Sequence, residues 1–99
     1  MVTYEVHAEV EPFLAESFQR YMLLKHLPEI LATGCFAAIH FERGGTGRFR
    51  TRYQAASQAD LDRYLEGHTQ AFREDLARSF PQGVATRRET WESVQAWEG

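Results

Sequence analysis

Hydrophobic periodicity changes along this chain in one order: period two, period 3.6, period two twice, period 3.6, and then a last segment read as extended. Val2, Tyr4, Val6, Ala8 and Val10 fall on one side of the first segment and Thr3, Glu5, His7 and Glu9 on the other, which is the mark of a half-buried strand. Glu11-Pro12 then opens a helix, because a first helical position has no use for the N–H that proline lacks. Leu14, Phe18, Tyr21, Met22 and Lys25 recur at spacings of three and four. This predicts an amphipathic helix with the aliphatic stem of Lys25 along its margin. Pro28 disfavours helical geometry at Leu27, so the helix is expected to stop or kink near His26. A short second piece, Pro28 to Ala32, should end at Gly34 in a left-handed cap.

From Cys35 to Arg43 the chain alternates again, with Cys35, Ala37, Ile39 and Phe41 against Phe36, Ala38, His40 and Glu42. Gly44-Gly45-Thr46-Gly47 is a turn leading into Arg48 to Ala55, where Phe49, Thr51, Tyr53 and Ala55 oppose Arg48, Arg50, Arg52 and Gln54, and the pair reads as a hairpin. Ser57 with Asp60 resembles a capping box, aspartate replacing the usual glutamate. The helix it begins carries Leu61, Tyr64, Leu65, His68, Phe72 and Leu76 as one apolar stripe, with Gly67 costing about 1 kcal/mol inside it. Pro81 and Gly83 end that helix. Val84 to about Ser93 is a fourth strand whose facing the pattern leaves open, followed by a short tail with Trp97. Strand, helix, hairpin, helix, strand is the split βαβ order. The expectation is a single α+β domain over 1–99, ferredoxin-like βαββαβ, its four-stranded antiparallel sheet carrying both helices on one face.

The 99 residues leave room for one core, and 43% apolar with 25% charged residues is ordinary globular usage. A formal charge of −3 gives no support to binding a phosphate backbone, so no nucleic-acid partner is expected. No run approaches the roughly 18 apolar residues of a membrane span, and Met1 to Val10 lacks the pattern of a secretory signal, so the expected setting is the cytoplasm, away from membranes. Cys35 is the single cysteine. It excludes an internal disulfide and any zinc site built on several thiolates, and on an apolar strand face it is expected to fill space.

With strands one and three adjacent in the centre, the sheet face away from the helices should present Thr3, Glu5, His7 and Glu9 beside Arg48, Arg50 and Arg52. Phe36, Ala38 and His40 are expected on the neighbouring strand. One reading is a solvated, charge-paired face, stabilised by roughly 0.2 to 1 kcal/mol per cross-strand pair. The sharper one packs two such sheets face to face around a polar pocket in which His7, His40, Arg50 and Arg52 orient an acidic or carbonyl-bearing ligand, with a histidine available for proton transfer.

HLPEILATGCF at 26 to 36, LDRYLEGHTQAFRED at 61 to 75 and the strand of Arg88 resemble an uncharacterised bacterial domain-of-unknown-function family of stand-alone dimeric α+β-barrel proteins. The Ala-Thr-Gly-Cys-Phe run at 32 to 36 is the most specific element. The resemblance implies a ferredoxin-like protomer whose open sheet packs on a second copy, and no particular activity. Wider relatives of that barrel include cofactor-free antibiotic-biosynthesis monooxygenases, haem-degrading enzymes, muconolactone isomerases and small stress-response proteins, and fold does not fix function among them.

Two further histidines are candidate ligand contacts. His26 sits at the expected helix break, where an imidazolium would cap the last carbonyls, and His68 lies between Leu65 and Phe72 on an apolar stripe, as a satisfied interior histidine does. Trp91 and Trp97 are expected to anchor an interface, Trp97 on the partner subunit. An RNA-recognition strand would need Phe49 and Tyr53 on the open face, and an acylphosphatase a glycine-rich loop where Glu9-Val10-Glu11-Pro12 stands, so both are set aside. The Gly44–Gly47 cluster opens no helix and is read as a turn rather than a phosphate site. No metal ligand spacing is visible, although folding could assemble His7, His40 and Glu5; neither a metal nor a cofactor is expected, haem on His68 or His26 being the weakest idea. The leading reading is a homodimer binding a small organic molecule, with cofactor-free oxidation, isomerisation or proton transfer as its chemistry. The alternative is a non-catalytic sensor or assembly module.

Overall fold

A computed structural model describes residues 1–99. Four strands, β1 (Val2–Val10), β2 (Ala38–Arg43), β3 (Arg48–Ala55) and β4 (Val84–Glu92), form one antiparallel sheet in the order β2-β3-β1-β4. The helices α1 (Ala15–Tyr21), α2 (Leu27–Leu31), α3 (Gln58–Gly67) and α4 (Thr69–Ser79) cover one side of it. This is the ferredoxin-like α+β architecture that the periodicities require. Val2, Tyr4, Ala8 and Val10 of β1 and Phe49, Thr51, Tyr53 and Ala55 of β3 are buried against Phe18, Met22, Ile30, Leu61 and Tyr64 from the helices, so the alternation of both central strands faces as read. Cys35 is buried and free, as a space-filling residue should be.

Three details differ from the sequence reading. The first concerns Pro28. The chain does not leave the helix near His26 but widens into a π-helical turn over Met22–His26, with the Leu27 N–H bonded to the Met22 carbonyl, and then continues as α2. Widening the turn relieves the clash that a proline ring makes with the carbonyl four residues before it. Gly34, with φ +75°, then closes the segment as expected.

The second is Phe36, which does not join the open face. Regular pairing begins at Ala38, and the three preceding residues are irregular, so Cys35 and Phe36 both turn inward. The Phe36 ring lies 5.1 Å from that of Tyr53 and 4.8 Å from that of Tyr64. The third is the second long helix. Ser57 caps it, its hydroxyl accepting from the Asp60 N–H at 3.2 Å. His68, at φ −130° and ψ −35°, then breaks it in two, so Gly67 ends α3 rather than weakening a helix interior. No residue of α4 is fully buried.

The facing of β4 is settled by its register on β1. Val84, Thr86 and Arg88 stand opposite Val10, Ala8 and Val6 and share their side, beneath the helices. Ala85, Arg87, Glu89 and Trp91 stand opposite Glu9, His7, Glu5 and Thr3 on the open face. No helix is long and apolar enough to cross a membrane.

Candidate functional site

The six histidine and arginine candidates divide between the two sides of the sheet. On the open side His7 pairs with Arg50 across β3, and Arg52 stands between Glu5 and His40. The cations there are largely satisfied. Glu42 accepts from Arg50 at 2.8 Å and from Arg52 at 3.1 and 3.0 Å, and these two guanidiniums hold its carboxyl below the usual carboxylate range, Arg52 contributing most. Arg87 pairs with Glu89, and His7 Nε2 lies 3.1 Å from Glu5 Oε1. His40, on the neighbouring strand, is exposed and reaches neither Glu5 nor His7 with a hydrogen bond. A shallow depression of about 480 Å³ bordered by His7, Glu9, Glu42, Arg48, Arg50 and Arg87 marks one end of this face.

The other side holds a different set of groups. Between the sheet and the helices lies a cavity of about 30 Å³, room for about one water, lined mostly by apolar and aromatic side chains. Its polar lining includes His26, Thr51, Tyr64, Arg73, Thr86 and Arg88. The π-helical turn points His26 inward, where it is 7% exposed. His26 is therefore neither a helix cap nor a surface residue. Desolvation pushes its imidazole down to about 4, against the opposing pull of Asp75 and Glu29, so the ring is neutral near pH 7.

A short chain of groups fixes which nitrogen carries the proton. The Tyr21 hydroxyl donates to Asp75 Oδ2 at 2.5 Å, and Asp75 also accepts from Lys25 Nζ at 2.9 Å. Tyr21 and Lys25 together hold the Asp75 carboxyl down at about 2. With its proton committed to Asp75, the Tyr21 oxygen can only accept from His26 Nδ1, 3.4 Å away. In that tautomer Nε2 keeps its lone pair as the acceptor. Burial, with Asp75 second, also drives the Tyr21 hydroxyl far above its ordinary range, so the phenol stays protonated.

Two cations border the same cavity without a carboxylate. Arg73 of α4 donates to the Tyr4 hydroxyl at 3.2 Å, and Arg88 of β4 donates to Thr86 Oγ1 at 3.1 Å. No acidic side chain lies within ion-pairing distance of either one. Arg88 is half-buried, a position in which a guanidinium is usually paired. Above the cavity, burial raises the Tyr64 hydroxyl to about 12. His68 does not line the cavity. It stacks on Tyr64 with ring centres 6.2 Å apart, and the rings of Tyr64 and Phe72 intervene between it and His26.

Sequence reasoning singled out His26 but passed over Arg73, Arg88, Tyr4 and Tyr64 as site residues. The signal for Arg88 was its even spacing from Val84, which places it on the side of the one clearly apolar residue of β4. Arg73 carried no signal, since a single arginine beside Phe72 reads as a solvated helix residue.

The sheet order and its helix-covered face define a ferredoxin-like α+β protein. The chain is a member of the family described as Domain of unknown function (DUF4286), whose model matches residues 1–94. Among solved structures it is similar to a candidate antibiotic biosynthesis monooxygenase from Caulobacter crescentus, at 19% identity and a TM-score of 0.74 over 95% of this chain and 90% of that one. A monooxygenase of Streptomyces coelicolor, solved with the ligand nanaomycin D, is 12% identical with a TM-score of 0.66, covering 98% and 92%. A protein of unknown function from Nitrosomonas europaea is 16% identical with a TM-score of 0.68, covering 99% and 95%. At these identities the likeness is one of fold. No curated protein matches the sequence.

Proposed function

We propose that the chain binds a small, partly planar organic molecule between sheet and helices and moves a proton on it. The observation that carries this reading is the meeting of two carboxylate-free guanidiniums, Arg73 and Arg88, with a neutral histidine in an apolar, aromatic cavity. The guanidiniums suit a carboxylate, carbonyl or enolate oxygen. A ring held among Tyr4, Tyr64 and Phe72 would bring an acidic C–H or O–H toward His26 Nε2. That nitrogen takes the proton, and the imidazolium so formed is stabilised through Nδ1–H by Tyr21 and the Asp75 carboxylate behind it. Negative charge left on the ligand is met by Arg88 and Arg73. Returning the proton elsewhere on the ligand is an isomerisation, and handing the electron-rich anion to dioxygen begins a cofactor-free oxidation.

A cavity of about 30 Å³ admits no such ligand unless the roof moves. We assign that movement to α4, which has no fully buried residue and is joined to α3 through the irregular His68. Arg73 rides on it. Ligand entry and completion of the anion site are in this way one movement.

We place the partner copy on the open face, in a homodimer in the cytoplasm. Trp91 supports this: it is a large side chain, 56% exposed, near the end of the edge strand β4 on an otherwise polar sheet face. A second reading, a dimeric sensor or assembly module without catalysis, is favoured by the ion pairing of Glu42 with Arg50 and Arg52, which leaves the open face little free charge for a ligand.

Thermal-shift screening of carboxylated and carbonyl-bearing aromatic metabolites tests the cavity. A ligand present at about a hundred times its Kd stabilises by ~2.7 kcal/mol, a shift of roughly 10 °C or more in a domain of this size. Arg88→Met and Arg73→Met should abolish the shift, while His7→Ala and Arg52→Ala keep it. The opposite pattern would move the ligand to the open face and end this reading.

A further inference from the structure

On the open face β1 and β4 bring two glutamates directly opposite one another. Glu5 and Glu89 are register partners, and His7 lies two residues along β1 on the same side. One donor atom from each of the three converges within 4.8 Å of the others. Like charges facing each other across a ladder are destabilising. Glu89 is answered in part by Arg87, an exposed pair of small value. Glu5 has no such answer: its side chain is 17% exposed, no arginine or lysine is within ion-pairing distance, and its partner is His7, 24% exposed. Arg52, opposite Glu5, is drawn away to Glu42. The second oxygen of Glu89 accepts from the Trp91 indole at 3.2 Å, which orients the carboxylate toward the cluster.

We propose that Glu5, His7 and Glu89 bind a divalent first-row transition ion, with zinc as the test ion. One imidazole and two carboxylates form a borderline donor set suited to zinc or manganese, and three protein ligands leave at least one position open to water or a ligand. Donors on one zinc, each about 2.1 Å from it, lie roughly 3.4 Å apart in a tetrahedron. His7 and Glu5, at 3.1 Å, already have about that spacing, and a Glu89 oxygen within 4.8 Å of both needs only side-chain rotation to join them. The cation supplies the positive charge that Glu5 lacks. The site is built by the register of a single chain and stands independently of the cavity beneath the helices.

Isothermal titration with zinc should show one ion per chain, and cobalt should give the visible absorption of a low-coordinate site. Glu89→Gln and His7→Ala should each weaken zinc by at least about tenfold, as loss of a direct ligand does, while His40→Ala leaves it unchanged. In the parent chain, zinc should protect His7 from carbethoxylation by diethyl pyrocarbonate and leave the reactivity of His40 unchanged. Absence of saturable binding, equal affinity in the Glu89→Gln variant, or no protection of His7 would each overturn the proposal.

Discussion

Acidification should weaken this protein through one residue, His26, in a window set by its burial. In the fold the imidazole is held at about 4, chiefly by desolvation, against an ordinary value of 6.5. Between those values the unfolded chain binds a proton that the folded chain refuses, so stability falls as pH falls through that interval. The full effect is ~3 kcal/mol, and integrating the linkage from about pH 7 to about pH 5 gives ~2 kcal/mol. In a domain of 99 residues that is a drop of roughly 10 °C in Tm. His26→Phe removes the titration but keeps a ring able to pack on Tyr21 and Phe72, whose centres lie 5.5 and 5.9 Å from the imidazole. It forfeits the long bond to Tyr21 equally at both pH values. The measurement is urea unfolding, preferred to heating because a formal charge of −3 shrinks toward zero in acid and invites association. The parent should lose ~2 kcal/mol more than His26→Phe between about pH 7 and about pH 5. Asp75, held at about 2 from an ordinary 3.8, adds stability that is lost only as pH falls below about 4, outside this interval. Identical pH slopes in parent and variant would show that the imidazole is not buried as a neutral base, and the proton-transfer reading would go with it.

Tyr21→Phe removes a donor to a charged acceptor, and it should cost about 1.5 to 3 kcal/mol in urea unfolding near neutral pH. In nuclear magnetic resonance titrations of that variant the Asp75 carboxyl should rise from about 2 toward its ordinary 3.8, Lys25 alone being left to hold it. Gly83→Ala forces a side chain to φ +86° against Leu14 and should destabilise by roughly 1 to 3 kcal/mol, read from the urea midpoint. Deleting residues 94–99 removes Trp97, 83% exposed, and should shift sedimentation equilibrium toward monomer; an unchanged dimer constant would detach that tryptophan from the interface.

Most of the fold was legible because its central strands obey a strict alternation and its helices carry clean stripes. Val2–Val10 and Arg48–Ala55 face as their patterns require, and Ser57 caps its helix as its spacing suggests. Legibility failed where period alone does not decide geometry. Cys35 and Phe36 are consecutive and both buried because the chain is not yet a strand there. Pro28 marks a disturbance, but whether a helix ends or widens depends on the packing of its neighbours; Leu27 and Ile30, both buried, hold the chain helical beyond it. That widening turns His26 from an expected cap into a buried polar group lining the cavity. Among the other candidates, Arg50 and Arg52 do lie on the open face, yet the partner that satisfies both is Glu42, on the opposite strand of their own hairpin.

The deciding unknown was β4, and both sites turn on it. Its sequence, Val84 to Glu92, has one large aliphatic residue, so no stripe announces which parity faces the helices. The structure fixes that parity at the strand's first step. The carbonyl of Gly83 accepts from the Glu11 N–H at 2.9 Å, and Val84 follows opposite Val10 with its side chain turned to the core. Every later residue inherits the choice, because side chains alternate strictly along a strand. A slip of one position would lift Arg88 out of the cavity and bury Arg87, Glu89 and Trp91, dismantling the anion site and the Glu5–His7–Glu89 cluster together. The free guanidinium under the helices and the crowded carboxylates outside are consequences of one register, so a chain that misreads either face misreads both.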